Sequence, residues 1–550
     1  MRNKASRYGP WLVTALLVAL IALPASGAPK DRRRPAADRL FAHLSQGVGL
    51  RYYVENPDQA PALVRNRLRA LVQGSSATPS SSAPAAGGRG PLEDLFNSDD
   101  IGFPQNEESV SACRSNPKVV LEGTNDYRGL LDPEGNFTGW HLSTNGAKSL
   151  ANEGLLPPVE IDGVQVPSGG DPVDVLDNRT CDAYAASLNY IFGDSPDDVI
   201  SGIGMYRSDP ETLKSCPGGS APSCWPTRRV VAVAEPGHFL DKEWFDQGRS
   251  GAAGNVVWVA YADFAVDPEA PLGFTSASIY AVRCSADLSE CTDPILISDD
   301  DLDVQFADVT IADNGRTYIT WSEIQGELEF EPQTFIHKMR VAPAGSTEFG
   351  PERVVYEEDL AIPFGGFLHA NDFRVATYPK NEVKTVNGHA RAYVVWDACR
   401  YRLLDNVCEE AVIKLTYSDN DGATWSPVKT VSAGGDNYFP TIADNSGDSR
   451  LAVAWFTNRF DRIFHNRQDV ELATVHRSGR VTKRQRLTRP SNESEADPLL
   501  GGFFIGDYIE VDVEHGVAYV GYNANYRHVR VLGEGFPIPQ QDNYLARAHL

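Results

Sequence analysis

The chain has 550 residues, is 42% hydrophobic and carries a formal net charge of −24. The charge is uneven: the first 91 residues hold 13 Lys and Arg against 4 Asp and Glu, which leaves −33 on the remainder. So acidic a body repels polyanions and excludes nucleic acid as a partner, and the length allows one large repeat architecture or several domains.

At the N-terminus, Arg2, Lys4 and Arg7 precede an apolar run from Trp11 to Leu23, and Ala25-Ser26-Gly27 follows as a small-residue cleavage site. Residues 1–27 therefore read as a secretory signal peptide, the run being short for a membrane span. No later stretch is apolar enough to cross a bilayer, so a secreted, periplasmic or extracellular monomer is expected. Residues 28–91 open with the basic DRRRPAADRLFAHL. They continue through DQAPALVRNRLRALVQG, a candidate amphipathic helix, and end over 74–91 in a Ser/Ala/Pro/Gly-rich linker. That composition buries little surface, so 28–91 is expected to be a flexible basic tail or prosegment.

Beyond the linker a strand-like phrase recurs: VVLEGTND, AYAASLNY, VWVAYADF, TYITWSEI, AYVVWDAC, LAVAWFTN and AYVGYNAN. Each alternates apolar and small residues and ends at an aromatic or its substitute, in turn Gly123, Leu188, Tyr261, Trp321, Trp396, Trp455 and Tyr522. A second phrase precedes each copy, for example GGDPVDVLDN, FADVTIADNG, NDFRVATYPK at 371–380 and GDYIEVDVEHG, and a third strand such as IYAVRCS or IKLTYS follows most of them. Three or four antiparallel strands per unit, repeated seven times, predict an all-β propeller over 92–550, with seven blades preferred and six as the alternative. The last unit lacks a fourth strand, which residues 92–100 can supply by closing the ring.

Eight cysteines fall into three pairs close in sequence, Cys216 with Cys224, Cys284 with Cys291 and Cys399 with Cys408, leaving Cys113 to Cys181 by elimination. An even count in an exported chain predicts disulfides, and no zinc-like spacing competes with them.

One turn is distinctive. SDNDGATWS at 418–426 fails as a calcium loop, because with Gly422 sixth the first and twelfth positions are Tyr417 and Val428. Its Ser418, Asn420, Gly422, Thr424 and Trp425 instead fit S-x-[DN]-x-G-x-T-W, and weaker versions stand at STNGAKSL and CSADLSEC. The pattern resembles the Asp-box of the sialidase-like BNR-repeat propellers, secreted bacterial type. The resemblance implies a structural hairpin between the third and fourth strands of a blade, and a glycan as ligand.

In that family, arginines grip a sugar carboxylate, a tyrosine attacks and an aspartate serves as acid and base. Residues leading into the innermost strands and the loops after the aromatic strands would share one mouth. Tyr508, Asp507 and Asp241 are then the candidate catalytic groups, and Arg374, Arg459, Arg527, Arg400 and Arg128 the candidate substrate-binding ones. The family's Arg-Ile-Pro string is absent, FRVATYP around Arg374 being the nearest. The expected function is a glycan-acting or glycan-binding propeller, in enzyme form an exo-glycosidase of exo-sialidase type; the alternative is a non-catalytic recognition scaffold whose charged residues are turn caps and inter-blade anchors. No cofactor is expected. The acidic run SDDDLD at 298–303 is a solvated loop that admits a structural Ca²⁺, and the sequence leaves any metal unassigned.

Overall fold

The structure, a computed structural model, describes residues 40–56 (without 42 and 45), 95–96 and 102–550; within the last range 299–302, 327–332, 363–366, 405–406, 446–447, 498–499, 501–503 and 531–536 are not described. The expected signal peptide, the amphipathic stretch after residue 57, the 74–91 linker and most of the acidic run at 298–303 lie outside the described residues.

Seven four-stranded antiparallel sheets follow one another along the chain and form seven blades. The innermost strands are Gln105–Ala112, Val173–Leu176, His238–Arg249, Val304–Ile311, Lys380–Val386, Asn437–Asp444 and Glu510–Glu514. The aromatic phrases are the second strands, and their terminal residues Leu188, Tyr261, Trp321, Trp396, Trp455 and Tyr522 are all buried. In blade 5 the expected strand at 371–380 is displaced. Those residues form a loop, and the inner strand begins at Lys380, after Pro379, which has no N–H to give a ladder.

The ring closes as expected from its two ends: Leu95–Phe96 pairs with the third strand of blade 7, Leu95 opposite Leu545 and Phe96 opposite Tyr544. This removes an open edge on the last blade.

The inner strands still face the axis as edges, and each blade satisfies its neighbour's N–H groups with side chains. Glu510 and Asp512 accept from the backbone of Val110 (2.8 Å) and Ala112 (2.6 Å). Ser109 and Ser111 accept from Asp174 and Leu176 in blade 2. The series continues with Asp246 to Ile311, Asp308 to Asn381, Glu382 to Asp444 and Thr441 to Val511. Most of these groups line an axial channel of about 630 Å³. Its acidic lining is thus a girdle of hydrogen-bond acceptors, because a buried N–H left unpaired is costly. Asp397 plays the same part at blade 6, accepting from Phe439 N–H.

All four expected disulfides form, and Cys113–Cys181 fastens blade 1 to blade 2. The 418–425 turn sits between the third and fourth strands of blade 5. Ser418 Oγ accepts from Gly422 N–H (2.9 Å), and Asn420 Oδ1 accepts from Thr424 N–H (2.9 Å). Blade 1 repeats both bonds, Ala147 N–H to Ser143 (3.0 Å) and Ser149 N–H to Asn145 (3.1 Å), with Ala147 at φ 57° where Gly422 has φ 79°.

The N-terminal segment departs from expectation. Within 28–91, residues 40–56 are folded, with a helix over Gln46–Glu55, and Leu40, Phe41, Leu44, Val48, Tyr52 and Tyr53 are buried with the core of blades 2 and 3. An apolar face of this kind outweighs the polar composition around it.

Candidate functional site

Five of the seven inner strands begin with a kink at the mouth of the axis. Glu107, Asp171, Lys242, Phe306 and Phe439 all have left-handed φ, between 52° and 61°. In blades 1, 3, 4 and 6 the ladder shifts register at this step. A bulge re-aims a side chain, and non-glycine residues held there store about 1–3 kcal/mol each, strain that concentrates at functional sites. At the matching step of blades 5 and 7 stand Tyr378-Pro379 and Asp507-Tyr508.

The kinks bring carboxyls and cations together. Lys242 Nζ lies 3.6 Å from Asp241 Oδ2 and 3.4 Å from Asp507 Oδ2. Arg374 holds Asp507 from the far side, Nε to Oδ1 at 2.8 Å, with its Nη2 on Oδ2. Glu107 accepts from the Asp507 N–H (3.0 Å) and from Asn125 Nδ2 (2.5 Å), and bonds to the Asp171 carboxyl.

These surroundings split the carboxyls. Burial pushes Asp241 up to about 7, against the pull of Lys242. Burial also raises Asp507, but Arg374 and Lys242 prevail and hold it below the usual carboxylate range. Burial, with Asp171 close by, raises Glu107 and Glu243 well above theirs. Burial works against the Lys242 ammonium, yet Asp241 and Asp507 keep it charged.

Tyr508 is at the mouth, but as a hydrogen-bond donor. Its hydroxyl gives to the Pro172 carbonyl (2.8 Å), its ring meets Trp244 edge-on at 5.4 Å, and burial followed by Glu107 raises the phenol well above its ordinary value. A phenol so held stays protonated, which is the reverse of what an attacking oxygen needs.

Of the five arginines, Arg374 reaches the cluster. The others pair with acids of their own blades: Arg128 with Asp126 (2.9 Å), Arg400 with Glu410 (3.1 Å), Arg459 with Glu471 (2.5 Å) and Arg527 with Asp542 (3.8 Å). They act as intra-blade ties, a geometry that leaves no row of guanidinium forks for a sugar carboxylate. Among the described residues no group of three or more His, Cys, Asp or Glu is set to hold a metal ion. Glu107, Glu243, Tyr378 and Lys380 join the site without having been singled out from the sequence. The signal for them was positional: Glu107 and Glu243 fall at or next to a left-handed kink, and Tyr378 and Lys380 flank Pro379 at the matching step of blade 5.

No family model matches this chain, and no curated protein matches it. Among solved structures, a protein of unknown function from Dyadobacter fermentans is similar at TM-score 0.42 and 10% identity, over 84% of this chain and 99% of that one. The Hadza microbial sialidase Hz136 is similar at TM-score 0.40 and 9% identity, over 75% and 73%. A GH93 α-L-arabinofuranosidase of Fusarium graminearum is similar at TM-score 0.41 and 12% identity, over 70% and 99%. So distant a likeness carries no activity across; the propeller is established by the chain's own seven sheets.

Proposed function

We propose that this protein is an extracellular propeller that hydrolyses a glycosidic bond of a neutral glycan at the axial mouth. The observation that carries the reading is Lys242 within 3.6 Å of two carboxyls of opposite tendency, Asp241 pushed up to about 7 and Asp507 held below the usual carboxylate range. Two titratable groups pushed apart by their surroundings mark an acid and its partner. In this reading Asp241 gives its proton to the glycosidic oxygen as the C–O bond breaks. Asp507 faces the positive charge developing on the sugar and takes a proton from the incoming water, which balances the hydrolysis. Tyr508 packs its ring against Trp244 and takes no part in the bond-breaking step.

A neutral sugar fits better than a sialoside. Arg374 is already held by Asp507, and Arg128, Arg400, Arg459 and Arg527 pair with acids of their own blades, so a sugar carboxylate finds no row of guanidinium partners at the mouth. The four disulfides suit an oxidising compartment, and no helix among the described residues is long and apolar enough to cross a membrane.

The test is hydrolysis of a panel of fluorogenic glycosides, neutral sugars and sialosides together. Asp241→Asn is expected to abolish turnover of the substrate the protein accepts, with Asp372→Asn, on an exposed loop, as control. Tyr508→Phe is expected to retain turnover; its loss would return the tyrosine to the role of nucleophile. Binding of a glycan with no turnover by any form would favour the recognition scaffold.

A further inference from the structure

The mouth is closed. Glu107 and Asp241 are fully buried and Asp171 nearly so, although they stand at the open end of a ring. The cavity left among Asp171, Lys242, Trp244, Tyr378, Asp507 and Tyr508 is about 40 Å³. That is room for a water, whereas a ligand pocket measures about 300 Å³ or more.

The chain itself lies over this face. Residues 40–56 bury Leu40, Leu44, Val48 and Tyr52 completely. Tyr52 packs edge-on to Phe192 (5.2 Å), and His43 to Phe274 (5.3 Å). Arg51 sits over the Tyr190 ring at 5.0 Å and donates to Ser168 O. The segment also touches the candidate site directly: Arg374 donates through Nη1 to the Leu44 carbonyl (2.9 Å) while holding Asp507 with its other nitrogens. His43 is buried close enough to Arg374 and Lys242 to feel both charges. The seat is shaped for the segment. Gly273 has φ 84°, and a Cβ there would come within 2.6 Å of Leu40 N.

We infer that residues 40–56 form an intramolecular cap that closes the axial mouth, and that substrate reaches the site from this face when the cap lifts. The inference rests on the glycan reading for the identity of the substrate, but not for the cap. Burial of a few apolar side chains holds the segment, and the entropy of ordering it opposes them, so an opening equilibrium is physically accessible. A cap shut in about 99% of molecules weakens apparent substrate affinity about 100-fold.

The experiment compares the full chain with Val48→Asp, which loads a charge into the seat, and with the milder Arg51→Ala. Carbodiimide footprinting with mass spectrometry reads labelling of Asp171, Asp241 and Asp507, near-UV circular dichroism checks the propeller, and the glycoside panel is run beside it. The expected result is labelling raised about tenfold or more in Val48→Asp, reversed by a synthetic 40–56 peptide, with kcat/KM raised in step. Equal labelling in the parent chain and both folded variants overturns the cap, even if a glycan is hydrolysed. Raised labelling with no hydrolysis or binding by any form upholds the cap and overturns the glycan reading.

Discussion

Arg374, in the loop before blade 5, and Asp507, in the loop before blade 7, meet at the mouth of the axis as a two-pronged ion pair. Both side chains are largely buried, at 11% and 15% exposure. Removing one partner strands the other charge, so Arg374→Leu and Asp507→Leu are each expected to cost about 3–5 kcal/mol. The double variant is expected to cost clearly less than the sum. A double-mutant cycle by urea unfolding measures it, and strict additivity would show that the pair is not coupled.

Stability is expected to fall as pH rises from about 5 to about 8. Burial raises Asp246, Asp303 and Glu510 to about 7 and Asp397 to about 8. The folded chain therefore keeps protons that the unfolded chain has released, and the advantage of the protonated forms is lost as pH climbs through these values. Each group contributes a slope of roughly 1.4 kcal/mol per pH unit in that window. His43 and His337, buried neutral with values lowered by burial to about 3, oppose this below pH 6.5 but are fewer. Melting temperatures across pH 5–9 test the sign, and Asp397→Asn is expected to flatten the curve.

The 418–425 turn is expected to be structural. Gly422→Ala places a Cβ 2.7 Å from Met339 Cε at φ 79°, and Trp425 is half-buried against the core of blades 4 and 5. Each of Gly422→Ala and Trp425→Ala should lower stability by about 1–3 kcal/mol without changing turnover of a glycoside. A selective loss of turnover, with melting unchanged, would move the turn into the site.

Disulfide loss should be graded by loop length. Cys113–Cys181 spans 68 residues, against 8, 7 and 9 for the other three. Paired Cys→Ser replacement of the long one is expected to cost about 4 kcal/mol, and of each short one about 2–3 kcal/mol. Chemical denaturation compares them.

The sequence by itself determined the propeller, because blade strands are local. The alternation that ends at Trp321, Trp396 and Trp455 can be read within one unit, and its sevenfold recurrence sets the blade count. Three cysteine pairs and the turn at Ser418–Asn420–Gly422 were legible for the same reason, since their partners lie a few residues away, and Cys113–Cys181 followed by elimination. Tertiary structure decided the site. Whether an arginine grips a ligand or an acid of its own blade depends on a partner in another strand, as Arg459 with Glu471 shows. Asp241 and Asp507 are 266 positions apart, and Lys242 unites them only because successive inner strands turn about one axis. Residues 40–56 could not be placed from their own composition, since what folds them is the apolar seat offered by Tyr190, Phe192 and Phe274 on blades 2 and 3.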